Sequence, residues 1–81
     1  MKAKVYVQLK PAIPDGAGQR ICAALHHLGY DNVEQVRMGK YIELEIRPNE
    51  RPASDEVQEM CDRLLANPVT EGYVFEIIET A

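Results

Sequence analysis

Apolar and polar residues alternate strictly near the start of the chain, between residues 3 and 10. A period of two residues is typical of a β-strand with one buried face, because successive side chains of a strand point to opposite sides. The apolar side of this first predicted strand consists of Ala3, Val5, Val7 and Leu9. Pro11, Pro14 and the pair Asp15-Gly16 follow, so we expect the strand to end in a short turn-rich loop.

A second alternating stretch, residues 36–45, predicts two short strands that fold back on each other at Gly39 and Lys40. Gly39 can adopt the positive φ that a tight turn requires. After the turn, one face carries Ile42, Leu44 and Ile46, and the other carries Tyr41, Glu43, Glu45 and Arg47. With a two-residue turn, Val36 and Met38 would not share the face of Ile42, whereas a bulge or a longer loop would restore that parity. The sequence leaves both arrangements open.

Two segments have the period of a helix. The first runs from about Ala17 to Leu28, before Gly29, which is a good C-terminal cap, and its apolar stripe is Ile21, Cys22, Leu25 and Leu28. The second begins near Ser54, a predicted N-cap, and ends before Pro68, and its stripe is Val57, Met60, Cys61, Leu64 and Leu65. Because Leu64 lies on this stripe, we expect Leu64→Ala to destabilise the fold by about 2 to 5 kcal/mol.

The last run, residues 73–79, is rich in β-branched and aromatic residues and predicts a final strand. The element order is therefore strand, helix, strand, strand, helix, strand. This order predicts an α+β two-layer sandwich of the βαββαβ, ferredoxin-like class. We expect residues 1–81 to form a single domain in which two helices cover one face of a four-stranded antiparallel sheet.

The other face of that sheet is expected to be uncovered and is where we look for function. Its predicted apolar residues are some of Tyr6, Val36, Met38, Tyr41, Val74 and Ile78. An apolar patch of this size is unfavourable in water. Sheet-to-sheet dimerisation, or docking onto a larger protein, is the leading physical hypothesis.

Composition narrows the function classes. A chain of 81 residues buries only about 60 to 65% of the surface of its unfolded form, so a partner surface is expected. The net charge of −4 and the pI near 5.0 disfavour nucleic-acid binding. There is neither a run of about 20 apolar residues nor a signal-peptide pattern at the N-terminus, and we interpret the chain as cytoplasmic.

Candidate chemistry is sparse. Cys22 and His26 are four residues apart, beside His27, and Cys61 could approach from the second helix, which invites a metal site. However, there is no C-x-x-C pair, and a cysteine on an apolar stripe is usually a small core residue. Nor does the sequence contain a nucleophile motif or a phosphate-loop motif. We therefore expect no catalytic residue, no metal and no cofactor.

The charged residues around the predicted hairpin suggest a binding surface instead. Glu43 and Glu45 face the same side of a strand, where they contact solvent or a partner. Arg37 and Lys40 flank the predicted turn, and a rigid hairpin is a good platform for a partner's carboxylates. The candidate partner-interface residues are Arg37, Lys40, Tyr41, Glu43, Tyr6 and Met38.

Three stretches of the chain resemble the PurS family, the small subunit of bacterial formylglycinamide ribonucleotide amidotransferase, also called phosphoribosylformylglycinamidine synthase. They are residues 4–11, residues 36–44 with Arg37-x-Gly39-Lys40, and residues 60–73 with Asn67-Pro68-Val69. Gly29 fits as well, so the resemblance covers nearly the whole chain.

The resemblance implies a non-catalytic role in purine biosynthesis. In such a complex a glutaminase subunit releases ammonia, and a large ATP-dependent synthetase subunit uses it to make formylglycinamidine ribonucleotide. The small subunit is expected to join the two and to form a homodimer or homotetramer. The chain would then be part of a carbon-nitrogen ligase without contributing catalytic residues.

The main alternative is a small-molecule-sensing regulatory domain of the ACT type, which shares the predicted element order. Such domains usually have a glycine-containing loop before the first helix, as Asp15-Gly16-Ala17-Gly18 provides here. An amino-acid-dependent melting temperature would favour this alternative. An electron carrier of similar shape would need more cysteines than the two present.

Overall fold

The computed structural model describes residues 1–79. Five regular elements and one π-helix follow each other along the chain. They are strand β1 (Lys2–Leu9), helix α1 (Gly16–His27), strand β2 (Gly39–Glu45), helix α2 (Ala53–Met60), the π-helix (Cys61–Leu65) and strand β3 (Glu71–Ile78). Within the described part of the chain, no helix is both long enough and apolar enough to cross a membrane.

The three strands form one antiparallel sheet in the order β2-β1-β3, with β1 in the centre. Val5 lies opposite Ile42 on one side and Phe75 on the other, so the alternation predicted for β1 sets the register of both pairs. The fully buried Val5 and Val7 belong to the face that packs against α2 and the π-helix, which contribute Val57 and Cys61. The predicted faces of β1 and β2 are thus confirmed.

The predicted four-stranded sheet is wrong, because residues 36–38 are not a strand and the sheet has three strands within residues 1–79. Gly39 and Lys40 lie inside β2 and do not form a turn. The N–H of Met38 donates to the Asp15 carboxylate, and the Arg37 guanidinium donates to the carbonyl of Leu9. The segment is therefore tied to the start of α1 and the end of β1, not to a sheet ladder.

Gly39 does not have the positive φ that was expected for a turn at this position. Among the described residues the positive φ, 102°, belongs to Gly29 at the end of α1, where a C-terminal cap was predicted. Gly39 is required for another reason, because a Cβ there would lie 2.5 Å from the carbonyl oxygen of Val7. The close approach of two backbones, not a turn, excludes a side chain at this position.

Only the second of the two helices contributes to the core that the structure describes. Helix α1 and its N-cap contact the segment of residues 33–38, as shown by the hydrogen bonds of Val33 with His26 and of Met38 with Asp15. The domain is accordingly elongated, with extents of 53 × 30 × 14 Å. Ile21 and Leu28 of the predicted apolar stripe remain exposed. The expectation of two helices over one sheet face is therefore corrected together with the strand count.

The second helix differs from its prediction at both ends. It begins at Ala53 after Pro52, without a side-chain cap, so Ser54 is not the N-cap. At Cys61 the helix becomes a π-helix, which has more residues per turn than an α-helix and shifts the side chains that follow. Cys61 stays fully buried and Leu65 packs against the core, whereas Leu64 is 82% exposed. The predicted burial of Leu64 is wrong for this reason.

We expect Leu64→Ala to change the free energy of unfolding by less than about 0.5 kcal/mol, because an exposed side chain loses little on truncation. Leu65→Ala should destabilise the domain by about 2 kcal/mol, because Leu65 packs against the buried cluster. Urea denaturation of both variants measures the difference. Equal destabilisation by the two substitutions would contradict the π-helical register.

Candidate partner interface

The sheet face that points away from α2 carries a row of apolar side chains across all three strands. Tyr6 of β1 lies opposite Tyr41 of β2 and Val74 of β3. The two tyrosine rings are in contact, with centroids 5.2 Å apart. These three side chains are 42%, 50% and 66% exposed, respectively. We call Tyr6, Tyr41 and Val74 the open-face row, and an exposed apolar group of this kind is typical of an interaction site.

Carboxylates orient the phenols of this row. The Tyr41 hydroxyl donates to Glu43 Oε1 at 3.0 Å, and the Tyr6 hydroxyl donates to Glu76 Oε1 at 3.5 Å. Partial removal from water, and then the hydrogen bond to Glu43, raise the pKa of Tyr41 to about 12. Tyr41 is therefore a neutral donor near pH 7. Lys2 lies 3.7 Å from the same Glu43 carboxylate, so the charge of this face is partly balanced.

Lys40 occupies a different position from the one predicted at a hairpin tip. It lies opposite Val7, on the side of the sheet that α2 covers, and its Nζ is 3.5 Å from Glu71 Oε2. Glu71 also accepts a hydrogen bond from the N–H of Asn67 at 2.8 Å. This hydrogen bond, and then the charge of Lys40, lower the pKa of Glu71. Lys40 thus joins the start of β2 to the start of β3.

Arg37 is held by contacts within the chain. Its Nη2 donates to the carbonyl oxygens of Leu9 and Lys10 at 2.8 and 3.1 Å. These two hydrogen bonds hold Arg37 at the end of β1. Met38 follows in the same segment, with a side chain that is 44% exposed. Of the six predicted interface residues, the structure therefore brings Tyr6, Tyr41 and Glu43 together and places Arg37, Met38 and Lys40 outside that group.

Asp15 is the organising residue that sequence reasoning missed. Its side chain is buried and accepts the N–H of Gly18 through Oδ1 and the N–H of Met38 through Oδ2, both at 2.8 Å. The available signal was an aspartate directly before a helix, which is a preferred N-cap. The N–H of Met38, and then that of Gly18, lower the pKa of Asp15 against the opposing effect of burial. One carboxylate therefore caps α1 and anchors the segment before β2.

We expect Asp15→Asn to weaken the dependence of stability on acid pH. The pKa of Asp15 in the folded chain lies below its ordinary value of 3.8, so its contribution to stability is present above that pH. It is lost as the pH falls below 3.8 through the folded-state pKa. The free energy of unfolding, measured between pH 2 and 6 (roughly the window in which carboxyl groups titrate), should fall less steeply in the variant. Identical pH profiles would contradict this role.

The cysteines and histidines do not converge on a metal centre in the part of the chain that the structure describes. Cys22 Sγ lies 3.8 Å from His26 Nε2, and His26 Nε2 is 2.6 Å from the carbonyl oxygen of Val33. Cys61 lies in the core, where burial raises the pKa of its thiol. Within residues 1–79, no three or more His, Cys, Asp or Glu side chains are grouped so that they could hold a metal ion.

Comparison with known sequences identifies one family over nearly the full length. The family model described as PurS, phosphoribosylformylglycinamidine (FGAM) synthase, matches residues 2–79. The PurS subunit of this synthase from Synechocystis is 52% identical over 75 residues, which are 91% of this chain and 75% of the relative. The PurS subunit from Bacillus subtilis is 46% identical over 78 residues, which are 96% of this chain and 93% of the relative.

Solved structures give the same result. The structure of Bacillus subtilis PurS matches with a TM-score of 0.90 at 46% identity, covering 96% of this chain and 98% of that one. Methanocaldococcus jannaschii PurS, described as one of the subunits of formylglycinamide ribonucleotide amidotransferase, matches with a TM-score of 0.88 at 38% identity and covers 99% and 98%. A chain of PurLQS from Thermotoga maritima matches with a TM-score of 0.74 at 28% identity, covering 93% of each chain.

Proposed function

The chain belongs to the PurS family of phosphoribosylformylglycinamidine synthase subunits, and from that premise we propose that it is the assembly subunit of this complex. The synthase acts in purine biosynthesis. Its partners are the large ATP-dependent synthetase subunit, PurL, and the glutaminase subunit, PurQ, as in the PurLQS structure to which the chain is similar. This assignment decides against the ACT-type sensing domain that the element order also allowed.

The chemical reason for an assembly subunit is the fate of ammonia. Ammonia that leaves the glutaminase is diluted into solvent and protonated near neutral pH. A complex that holds the two active sites in fixed positions raises the effective concentration of ammonia at the synthetase. The chain serves this purpose by binding both subunits, without catalytic groups of its own, and we propose that it does so in the cytoplasm.

The observation that carries the proposal is the open-face row. Tyr6, Tyr41 and Val74 present a continuous apolar surface whose phenols are already oriented by Glu43 and Glu76. Aromatic side chains held in one position contribute strongly to protein interfaces, because little conformational entropy is lost when a partner binds. Glu43 and the two tyrosines are thus the predicted interface residues that we retain as partner contacts.

Self-association is the second part of the proposal, and a separate surface supports it. Helix α1 and the residues directly after it present three exposed apolar side chains, Ile21, Leu28 and Tyr30, which are 40%, 71% and 56% exposed. A second copy of the chain would cover this surface and leave the open-face row for the other subunits. A homodimer or homotetramer of this kind provides identical sites by symmetry.

Native mass spectrometry of the purified chain, alone and mixed with PurL and PurQ, tests both parts. We expect the chain alone to have the mass of a dimer or tetramer, and the mixture to form one complex that contains all three subunits. A binary PurL–PurQ complex of unchanged mass after addition of the chain would contradict the assembly role. A strictly monomeric mass at all concentrations would contradict self-association alone.

A further inference from the structure

A groove of about 470 Å³ lies next to the open-face row, at the end of the sheet where β1 ends and β2 and β3 begin. Tyr6, Tyr41 and Val74 line one part of it, and residues 7–11 line another. Its size is in the range of protein sites that enclose a ligand or a partner's side chains. The open-face row is therefore continuous with a concave site and does not end at a flat surface.

Gly72 keeps this groove open without being required by the fold. It is the second residue of β3, opposite Gln8, and its φ lies outside the left-handed region. A Cβ at Gly72 would meet no atom within 4 Å, in contrast to Gly39, where it would collide with the Val7 carbonyl. Glycine weakens a strand, but its lack of a side chain allows a ligand or another backbone to approach the strand closely. The missing side chain at Gly72 leaves that space free.

The charge of the groove is opposite to that of the whole chain. The chain has 13 acidic and 9 basic residues, yet the charged side chain that remains for the groove is the basic Lys10. Lys40 also borders the groove, but its side chain lies on the side of the sheet that α2 covers, where it is paired with Glu71. Lys10 Nζ donates one hydrogen bond, of 2.8 Å, to the carbonyl of Pro68, which holds the ammonium group in position. An ammonium group has three donors, so Lys10 retains donors for a bound carboxylate.

We propose that this groove receives an extended, carboxylate-bearing segment of another subunit of the synthase complex. The backbone of the segment lies over Gly72, its carboxylate binds Lys10, and its apolar side chains contact Tyr6 and Tyr41. This inference rests on the proposed assembly function and gives it a specific docking site. The positive charge of Lys10 is the reason for a carboxylate on the segment. The unobstructed backbone of β3 at Gly72 is the reason for its extended conformation.

Two leucine substitutions test the space in the groove. Gly72→Leu fills it, whereas Gly16→Leu adds the same side chain at the start of α1, where the nearest atom to a Cβ is 3.9 Å away. The dissociation constant of the labelled chain for the PurL–PurQ mixture is measured by fluorescence anisotropy, with the melting temperature of each variant as a check on folding. We expect binding to weaken at least roughly tenfold for Gly72→Leu and to stay unchanged for Gly16→Leu.

A charge reversal tests the chemistry and remains informative if Gly72→Leu does not fold. Lys10→Glu should weaken binding and make the dissociation constant less sensitive to salt, because a screened ion pair is lost. Arg47→Glu is the matched control, since Arg47 lies at the opposite end of the sheet, beside Met1 and Lys2. It should leave both quantities unchanged.

The outcomes separate this inference from the function on which it rests. If the unmodified chain binds neither PurL nor PurQ, the assembly function itself fails. If it binds and folded Gly72→Leu or Lys10→Glu binds equally well, the groove is not the docking site although the function stands. If Gly72→Leu instead changes only the mass of the chain on its own, the occupant is a second copy and the proposed segment is wrong.

Discussion

Replacing Val57 with aspartate is expected to abolish the cooperative unfolding transition of this chain. Val57 is fully buried on α2, in the cluster that includes Val5 and Cys61. Placing a carboxylate there without a charged partner costs several kcal/mol. A small domain has a total stability at the low end of about 5 to 15 kcal/mol, so this substitution removes most or all of it.

Val69→Asp is the matched control, because Val69 is 75% exposed in the loop between the π-helix and β3. Surface substitutions of this kind change stability by no more than about 0.5 kcal/mol. Thermal unfolding followed by circular dichroism distinguishes the two variants. A cooperative transition of Val57→Asp near that of the unmodified chain would show that α2 does not cover the sheet as described.

Gly18→Ala and Gly16→Ala are expected to have effects of opposite sign, although they place the same methyl group two residues apart on α1. At Gly18 a Cβ would lie 2.2 Å from the carbonyl oxygen of Val36, so the backbone of the following segment must move. Overpacking of this kind destabilises a fold by about 1 to 3 kcal/mol. Because the obstacle is backbone, a change of rotamer does not relieve it.

At Gly16 the same substitution should be neutral or stabilise the domain by up to about 1 kcal/mol, since alanine favours the helix and the nearest atom is 3.9 Å away. Urea denaturation gives the two free energies of unfolding. Similar values for both variants would show that α1 and the segment around Val36 are not in contact. Because Met38 follows Val36 closely and donates to Asp15, Gly18→Ala should also increase hydrogen exchange at the start of β2.

The parts of the fold that sequence reasoning predicted correctly depend on local pattern. Alternation sets the buried face of β1 and the face shared by Ile42 and Leu44, and Gly29 ends α1 as its cap position requires. The predicted hairpin was wrong because residues 36–38 contact groups that lie far away in sequence. The N–H of Met38 bonds to Asp15, and the carbonyl of Val36 lies against Gly18. No pattern within residues 36–38 indicates these contacts.

The second helix shows a different limit. Its apolar stripe follows the α-helical period up to Cys61, and the prediction extended that period to both Leu64 and Leu65. The π-helix changes the number of residues per turn, so Leu65 and not Leu64 packs against the core. A change of helical period leaves no clear signature in a short amphipathic sequence.

The candidate site was predicted only in part, namely where it depends on the alternation of side chains along a strand. Tyr6, Tyr41 and Glu43 share the open face because each has the polar parity of its strand, which the sequence displays directly. Arg37 and Lys40 were assigned to the tip of a hairpin that does not exist, and their actual partners are backbone carbonyls and Glu71. The groove beside Gly72 requires three strands in register, so the sequence alone could not indicate it.

The most direct test of the assembly role is the rate of formylglycinamidine ribonucleotide formation by purified PurL and PurQ, with and without this chain. Two nitrogen sources are compared, glutamine and free ammonia. We expect the glutamine-dependent rate to require the chain and the ammonia-dependent rate of PurL to be independent of it. Equal glutamine-dependent rates with and without the chain would contradict its role in joining the two subunits.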